Sequence, residues 1–297
     1  MFYLALVSLL WAFSFGLIKE GLAGLDAAPI AAARLALACL CFLPLLRPRL
    51  VSARERWNLA AIGMVQHGMM YLCYLHSYRF LGAHEVAAFT IFTPLFVVWS
   101  NDLARRRAHG RFLVTAAMAV AGAAVILAQR APRPGLLRGF ALVQLSNVCF
   151  AAGQIAYREF RRGRPELPDH SIFGWLYLGS LLPVVPALAA GGGRGLAEAG
   201  PRQWLILGYL GAIASGAGFF LWNKGATRVN PGALAVWNDL KIPLAVIVSI
   251  VVFGERAEPG RLALGLAILM AALVINERWA AGRDGRSGAA RPRLQSG

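Results

Sequence analysis

Long apolar runs recur along nearly the whole chain, and no other feature restricts so tightly what it can fold into. Taken at the length a bilayer core demands, they fall at roughly 2–18, 28–46, 57–80, 84–104, 112–128, 139–158, 171–190, 203–223, 231–253 and 259–279, here spans one to ten. In hydrocarbon a backbone finds no water to bond, so each run must close its own hydrogen bonds as a helix. The expectation is an all-α integral membrane protein of ten transmembrane helices, multi-pass and surrounded by membrane lipids. The connections are too short to hold a soluble domain, and 58% hydrophobic against 15% charged residues argues against a soluble core. Function is therefore expected inside the membrane.

The first run lacks the Lys or Arg n-region of a signal peptide and a second run follows it closely, so it reads as a helix of the bundle. The net charge of +16 does not point to nucleic acid, because the arginines are scattered through short connections instead of gathered on one face. Their bias instead predicts orientation. With both termini inside, 19 Lys and Arg lie on the inner side and 9 on the outer, while Arg34 and Lys241 lie within spans. Cys39, Cys41, Cys73 and Cys149 fall within spans, at spacings that match no metal or redox motif, so no cofactor is expected.

The second half repeats the first. WAFSFGLIKE at 11–20 lies against FAAGQIAYRE at 150–159, an offset of 139; TPLFVV at 93–98 meets IPLAVI at 242–247, and GAAVI at 122–126 meets AALVI at 271–275, both at 149. Five spans per half make the two enter the membrane in opposite senses, an inverted repeat of the kind secondary transporters use. The expected organisation is a first five-helix repeat over 1–135, a second over 136–280, and a disordered basic tail over 281–297. Pro94 and Pro243 occupy equivalent places in spans four and nine, where a missing N–H interrupts a helix; interrupted helices in matching positions point to a binding site.

Polar groups at depth supply the candidates. AVWNDLKIPLAV at 235–246 places Trp237, Asn238, Asp239 and Lys241 near the middle of span nine. A charge there costs about 2.5–3.5 kcal/mol even on insertion scales, so such groups face a cavity or each other. Asn238 and Lys241 share a face, whereas Asp239 lies across the helix from Lys241. Lys241 is a candidate for an anionic group of a substrate, and Asp239 either pairs elsewhere or carries a proton. Arg34 in span two is a second candidate for the anion, open also to neutralising Asp239. Gln144, Asn147 and Gln154 form one polar stripe on span six, read either as cavity lining or as interhelical bonding. His67, Tyr71, Tyr74 and Tyr78 form a stripe on span three, and Ser215, Phe219 and Trp222 one on span eight. Both suit a ring-bearing ligand, while Tyr78 and Trp222 also fit interfacial aromatic belts. Glu85, near the outer end of span four, is the other acid available to carry a proton, or serves as a gate or interface charge.

The PLFVV and GAAVI signatures and the paired five-helix halves resemble the EamA branch of the drug/metabolite transporter superfamily along essentially the whole chain. LLWAFSFG (9–16), FLPLLR (42–47), FTIFTPLF (89–96), LVQLSNVCFA (142–151), WLYLG (175–179) and ASGAGFFLWNKGAT (214–227) narrow the resemblance to its proteobacterial biotin-transporting group. The resemblance implies a small-molecule substrate, biotin, taken up across the bacterial inner membrane, with Trp11, Ser14, Gln144, Asn147, Trp222 and Asn223 among the polar stretches that matter. Asn147, Gln144 and Asn223 would serve the ureido ring, Trp11, Tyr74 and Trp222 the fused rings, and Lys241 or Arg34 the carboxylate.

Drawing a monoanion in against an inside-negative potential costs about 2.3 kcal/mol per 100 mV, roughly fifty-fold in accumulation, so concentrative uptake needs coupling. No phosphate-binding GxxxxGK[ST] loop and no ATPase partner are expected, which leaves proton symport through Asp239 or Glu85. An exporter of amino acids or amines on the same fold is the nearest rival. An intramembrane enzyme would need a nucleophile, metal or paired-acid motif, and a channel a charge ring or filter; none is apparent.

Overall fold

The computed structural model describes residues 2–104, 134–191, 194–228 and 244–254, together with 117–118, 121–122, 125, 242, 260, 262–268, 270–271, 274–275 and 278. Every regular element among them is helical. Six described helices are long and apolar enough to cross a membrane: Phe2–Gly21, Ala27–Leu45, Ala83–Asn101, Leu136–Gly163, Asp169–Ala190 and Pro201–Ala226. They correspond to spans one, two, four, six, seven and eight. Span three is a further helix in three pieces, Ala53–Gly63, Met64–Met69 and Met70–Ser77, and it begins a turn earlier than its hydropathy suggests because Ser52 and Glu55 form a capping box. Most of span five, about half of span nine and part of span ten lie outside the described residues.

Besides the π turn Leu17–Gly21 that ends span one, two helices carry π segments at corresponding places. Met64–Met69 in span three and Tyr209–Ala217 in span eight are π segments, each widening a helix where it meets its neighbours. Span two packs on the π segment of span eight, and span seven packs on that of span three. Span three and span seven approach backbone to backbone. A Cβ on Gly63 would stand 1.8 Å from the Leu176 carbonyl oxygen, and one on Gly179 would stand 1.9 Å from that of Ala60. Small residues are what permit such contact where hydrocarbon supplies no hydrophobic drive between helices.

The ends of the helices sort into two faces. On one, Arg47 N donates to Ser171 O at 3.0 Å and Glu55 pairs with Arg164. On the other, Lys19 Nζ donates to Tyr78 O at 2.8 Å and Leu81 O at 3.0 Å, Arg79 pairs with Asp26, and Gln203 Nε2 donates to Ala23 O at 3.1 Å. The first is the face that carries Arg47, Arg49, Arg54, Arg56 and Arg158–Arg164, the basic connections of the sequence.

Glu55 lies on that basic face, its carboxylate accepting from Ser52 N at 2.8 Å and Ser52 Oγ at 2.9 Å. The Ser52 backbone N–H, before the Ser52 hydroxyl and Arg164, holds the Glu55 carboxyl below its usual range. A lowered carboxylate pKa stabilises above the unfolded-state value and loses that contribution as pH falls through the folded one. Glu55→Gln is therefore expected to cost about 0.5–1 kcal/mol near neutral pH, small because solvent screens the pair, and nothing once the carboxyl is protonated. Thermal melts of both proteins in detergent at neutral and acid pH check this; an undiminished difference in acid would contradict it.

Candidate functional site

Arg34 enters the bundle core from span two and is 2% exposed. Its Nη2 donates to Tyr71 Oη at 2.7 Å and its Nε to Ser215 Oγ at 3.2 Å, while the guanidinium carbon lies 4.4 Å from the Tyr71 ring centroid. Tyr71 Oη and Ser215 Oγ are 2.9 Å apart, and Ser215 Oγ donates to Leu210 O at 2.6 Å. That last bond reaches back five residues where an α-helical serine reaches four, because Ser215 belongs to the π segment. Arg34 Nη1 has no hydrogen-bond partner. Among the described residues no carboxylate pairs with Arg34, and the groups there that bond it are neutral hydroxyls.

This guanidinium lines a cavity of about 80 Å³ to which spans one, two, three, four, six and eight all contribute. Trp11, Phe15, Tyr71, Tyr74, Phe150 and Phe219 form its aromatic walls, and Ser14, Thr90, Thr93, Ser146 and Asn147 supply hydroxyls and an amide. Arg34 is the one charged group among the described residues of that lining. Toward the basic face the cavity is closed by rings: Trp11 stands 5.0 Å from Trp222 and 5.1 Å from Phe219, its Nε1 donating to Ala214 O at 2.9 Å. Gln66 and Asn223 form a buried amide pair, Gln66 Nε2 donating to Asn223 Oδ1 at 3.1 Å. Toward the opposite face the cavity is narrowed by Phe15 packed edge-on to Tyr74, whose hydroxyl lies 2.7 Å from that of Tyr78.

Span four changes register just before Pro94, and the way that change is satisfied explains Asn147. The α helix Ala83–Phe89 tightens into a 3-10 turn over Thr90–Phe92 and resumes at Thr93. Pro94 has no N–H for the Thr90 carbonyl, and Thr93 Oγ1 donates to it instead at 2.6 Å. At the change of register the Phe89 carbonyl also accepts from Asn147 Nδ2 at 2.9 Å and from Gln144 Nε2 at 3.5 Å. Thr93 Oγ1 lies 3.2 Å from Asn147 Oδ1, and Asn147 Nδ2 lies 3.2 Å from Gln144 Oε1. Asn147 thus both lines the cavity and holds span four at its change of register. Asn147→Ala is expected to cost about 1–2 kcal/mol, since Gln144 remains as a weaker donor. Asn147→Asp, which sets an acceptor against the Phe89 carbonyl, should melt lower still, and a higher melting point for Asp than Ala would refute this role.

Of the residues singled out in the sequence, the structure brings Trp11, Ser14, Arg34, Tyr71, Tyr74 and Asn147 to one cavity, with Gln144 behind Asn147. Trp222 and Asn223 do not line it. They close it from beneath, and Trp222 is fully buried, which overturns its reading as an interfacial belt residue. Gln154 is buried two turns beyond Asn147 with its Nε2 unpartnered, away from the cavity lining. Glu85 accepts from Gly82 N at 2.8 Å as the cap of span four and is likewise outside the lining. Trp237, Asn238, Asp239, Lys241 and Pro243 lie outside the described residues. Sequence reasoning missed Thr90, Thr93, Ser146 and Phe150, and noted Ser215 only as part of a stripe. Hydroxyl residues return their hydrogen to a preceding carbonyl and so look bland in a membrane helix; Pro94 was the signal that Thr90 and Thr93 mattered.

Comparison with known proteins fits this architecture. The chain matches the EamA-like transporter family over residues 1–128 and 137–277. It is 41% identical over 278 residues to a protein of Pseudomonas aeruginosa named as a probable biotin transporter, covering 93% of this chain and 97% of that one. It is 35% identical over 289 residues to a biotin transporter of Salmonella typhimurium and 34% to one of Escherichia coli, covering 97% of this chain and 96% of each. A solved structure of another protein superposes with a TM-score of 0.64 at 18% identity, over 92% of this chain and 96% of that one, a likeness of fold.

Proposed function

This chain belongs to the EamA-like transporter family, and we propose that it imports biotin across the bacterial inner membrane by alternating access, coupled to protons. The observation that carries the reading is Arg34, a buried cation with a spare N–H in an aromatic cavity whose described lining holds no acid. A bare charge at that depth is costly, and a monoanionic ligand relieves it. The valerate carboxylate sits on Arg34 Nη1, the fused rings lie among Trp11, Tyr71, Tyr74, Phe150 and Phe219, and Ser14, Ser146 and Asn147 face the ureido group. A ligand of this size needs more than the present 80 Å³, so binding requires the walls to part. The Phe15–Tyr74 contact opens toward one side, and the Trp11, Trp222 and Phe219 packing toward the other.

Orientation follows from the charges. The face bearing Arg47–Arg56 and Arg158–Arg164 is the cytoplasmic one, which puts the N-terminus inside. The boundaries 1–135 and 136–280 for the two five-helix repeats belong to the same reading. An exporter of amines is the poorer fit, because an amine cargo calls for an acid where the described lining presents a cation.

The test is uptake of labelled biotin by a biotin-auxotrophic host expressing the chain. Accumulation above the medium that collapses on adding a protonophore is expected. Correctly inserted protein with no uptake would refute the cargo, and accumulation indifferent to the protonophore would refute the coupling.

A further inference from the structure

One buried titratable side chain is unaccounted for by the cavity. His67 is completely buried, and neither its Nδ1 nor its Nε2 has a hydrogen-bond partner. A histidine placed for packing alone gains nothing from two orphaned ring nitrogens that a phenylalanine would lack. It lies within the π segment Met64–Met69, one turn from Tyr71, between the cavity and the basic face. Its ring stacks on Tyr177 at 5.3 Å and 20°, and stands 4.6 Å from Phe219 and 6.1 Å from Phe173. The box is therefore built on His67 by two other spans, seven and eight, and one of its walls, Phe219, is shared with the cavity.

We propose that His67 is the proton-carrying residue of the transport cycle, charged only while this aromatic box is open and obliged to release its proton before the empty carrier closes. This rests on the proton-coupled reading above and replaces Glu85 in it, since Glu85 is already engaged as a helix cap.

The groups facing the box make the coupling explicit. Span seven presents Tyr177, and span six presents Tyr157, which donates to Asp169 at 2.7 Å behind Phe173. Span two carries Arg34 and Cys39, and His67's own helix carries Tyr71. Span eight's cation, Lys224, lies over the rings of Tyr3 and Phe220. Among the described residues no carboxylate is bonded to His67, so an imidazolium in the closed box adds a second positive charge to that of Arg34. A substrate carboxylate on Arg34 offsets it. Proton and anion thus bind together and leave together. The proton comes from water on the entry side, forms an N–H bond on the imidazole, and returns to water on the exit side, leaving the ring neutral.

His67→Phe keeps an aromatic ring, larger by one atom, and removes the titrating nitrogens, so the variant is expected to fold and to melt within a few degrees of the native protein. In proteoliposomes it should lose accumulation driven by a pH gradient, falling to simple equilibration, while exchange of internal unlabelled for external labelled biotin stays within about threefold of native, as expected when coupling but not binding is lost. Gradient-driven accumulation at the native level would overturn the proposal. A second measurement needs no cargo: tryptophan fluorescence of the purified protein, to which Trp11 packed on Phe219 and Trp222 contributes, should show a transition between about pH 5 and 8 that His67→Phe lacks. Superimposable curves for the two proteins would overturn it equally. If the native protein took up no biotin, the cargo reading would fall while this titration still decided the role of His67.

Discussion

Arg34→Met is expected to abolish biotin uptake, by a hundredfold or more, while leaving the fold intact or firmer. The two halves of that expectation come from the same geometry. In the native protein the guanidinium is held by Tyr71 Oη and Ser215 Oγ and offset by no acid among the described residues, with Nη1 unbonded. Removing it strands nothing: Tyr71 Oη and Ser215 Oγ remain 2.9 Å apart, and Ser215 still donates to the Leu210 carbonyl. Methionine fills comparable space without the burial cost of a lone charge, which insertion scales set at about 3 kcal/mol. A residue kept at such a cost to stability is kept for its ligand. Arg34→Lys should fall between the two, because an ammonium supplies the charge without the fork that holds Tyr71, Ser215 and a carboxylate at once. Detergent melts and uptake assays on the three proteins check this. A methionine variant that melts several degrees lower yet still transports would show Arg34 to be a structural cation.

Gly179→Val is expected to prevent the native bundle from forming. Spans three and seven meet with the Ala60 carbonyl 1.9 Å from where a Cβ on residue 179 would lie, and reciprocally with the Leu176 carbonyl 1.8 Å from one on residue 63. Neither obstacle is a side chain that can turn aside. Both are backbone, so the helices must separate along their length, at a cost of at least about 3 kcal/mol. Separation would also pull Tyr177 from its hydrogen bonds to the Ser215 and Gly216 carbonyls, at 2.8 and 2.9 Å, and open the box around His67. The expected readout is loss of a monodisperse peak in size-exclusion chromatography. Gly163, which meets no neighbouring atom, is the control position, where alanine should be silent.

These two residues illustrate what could and could not be read before the structure. Arg34 was legible as a candidate because a cation among AAARLALA is costly in hydrocarbon wherever its partners lie. Its actual partners were not, since Tyr71 and Ser215 come from spans three and eight and one of them depends on a π register that no hydropathy pattern encodes. Gly179 sat unremarked in WLYLG, because a glycine in an apolar helix reads as flexible or filler until the opposing carbonyl is located. Pro94 was legible as a place where a helix lacks an N–H, but the donors around it were not. Asn147 and Gln144 read equally well as cavity lining or as interhelical bonding, and Asn147 proves to be both. Trp222 fitted a membrane-interface belt by its place in the span and is instead buried against Trp11.

By itself the sequence determined the class of the protein: helical, multi-pass and embedded in the membrane, with its chemistry confined to a few polar side chains at depth. The reason is local, since hydrocarbon leaves a backbone one way to satisfy itself and charges every polar group for entering. Which of those groups share a cavity was decided only by tertiary packing. Helix rotation, a π register and close glycine contacts set which faces turn inward, and those are relations between spans far apart in the chain.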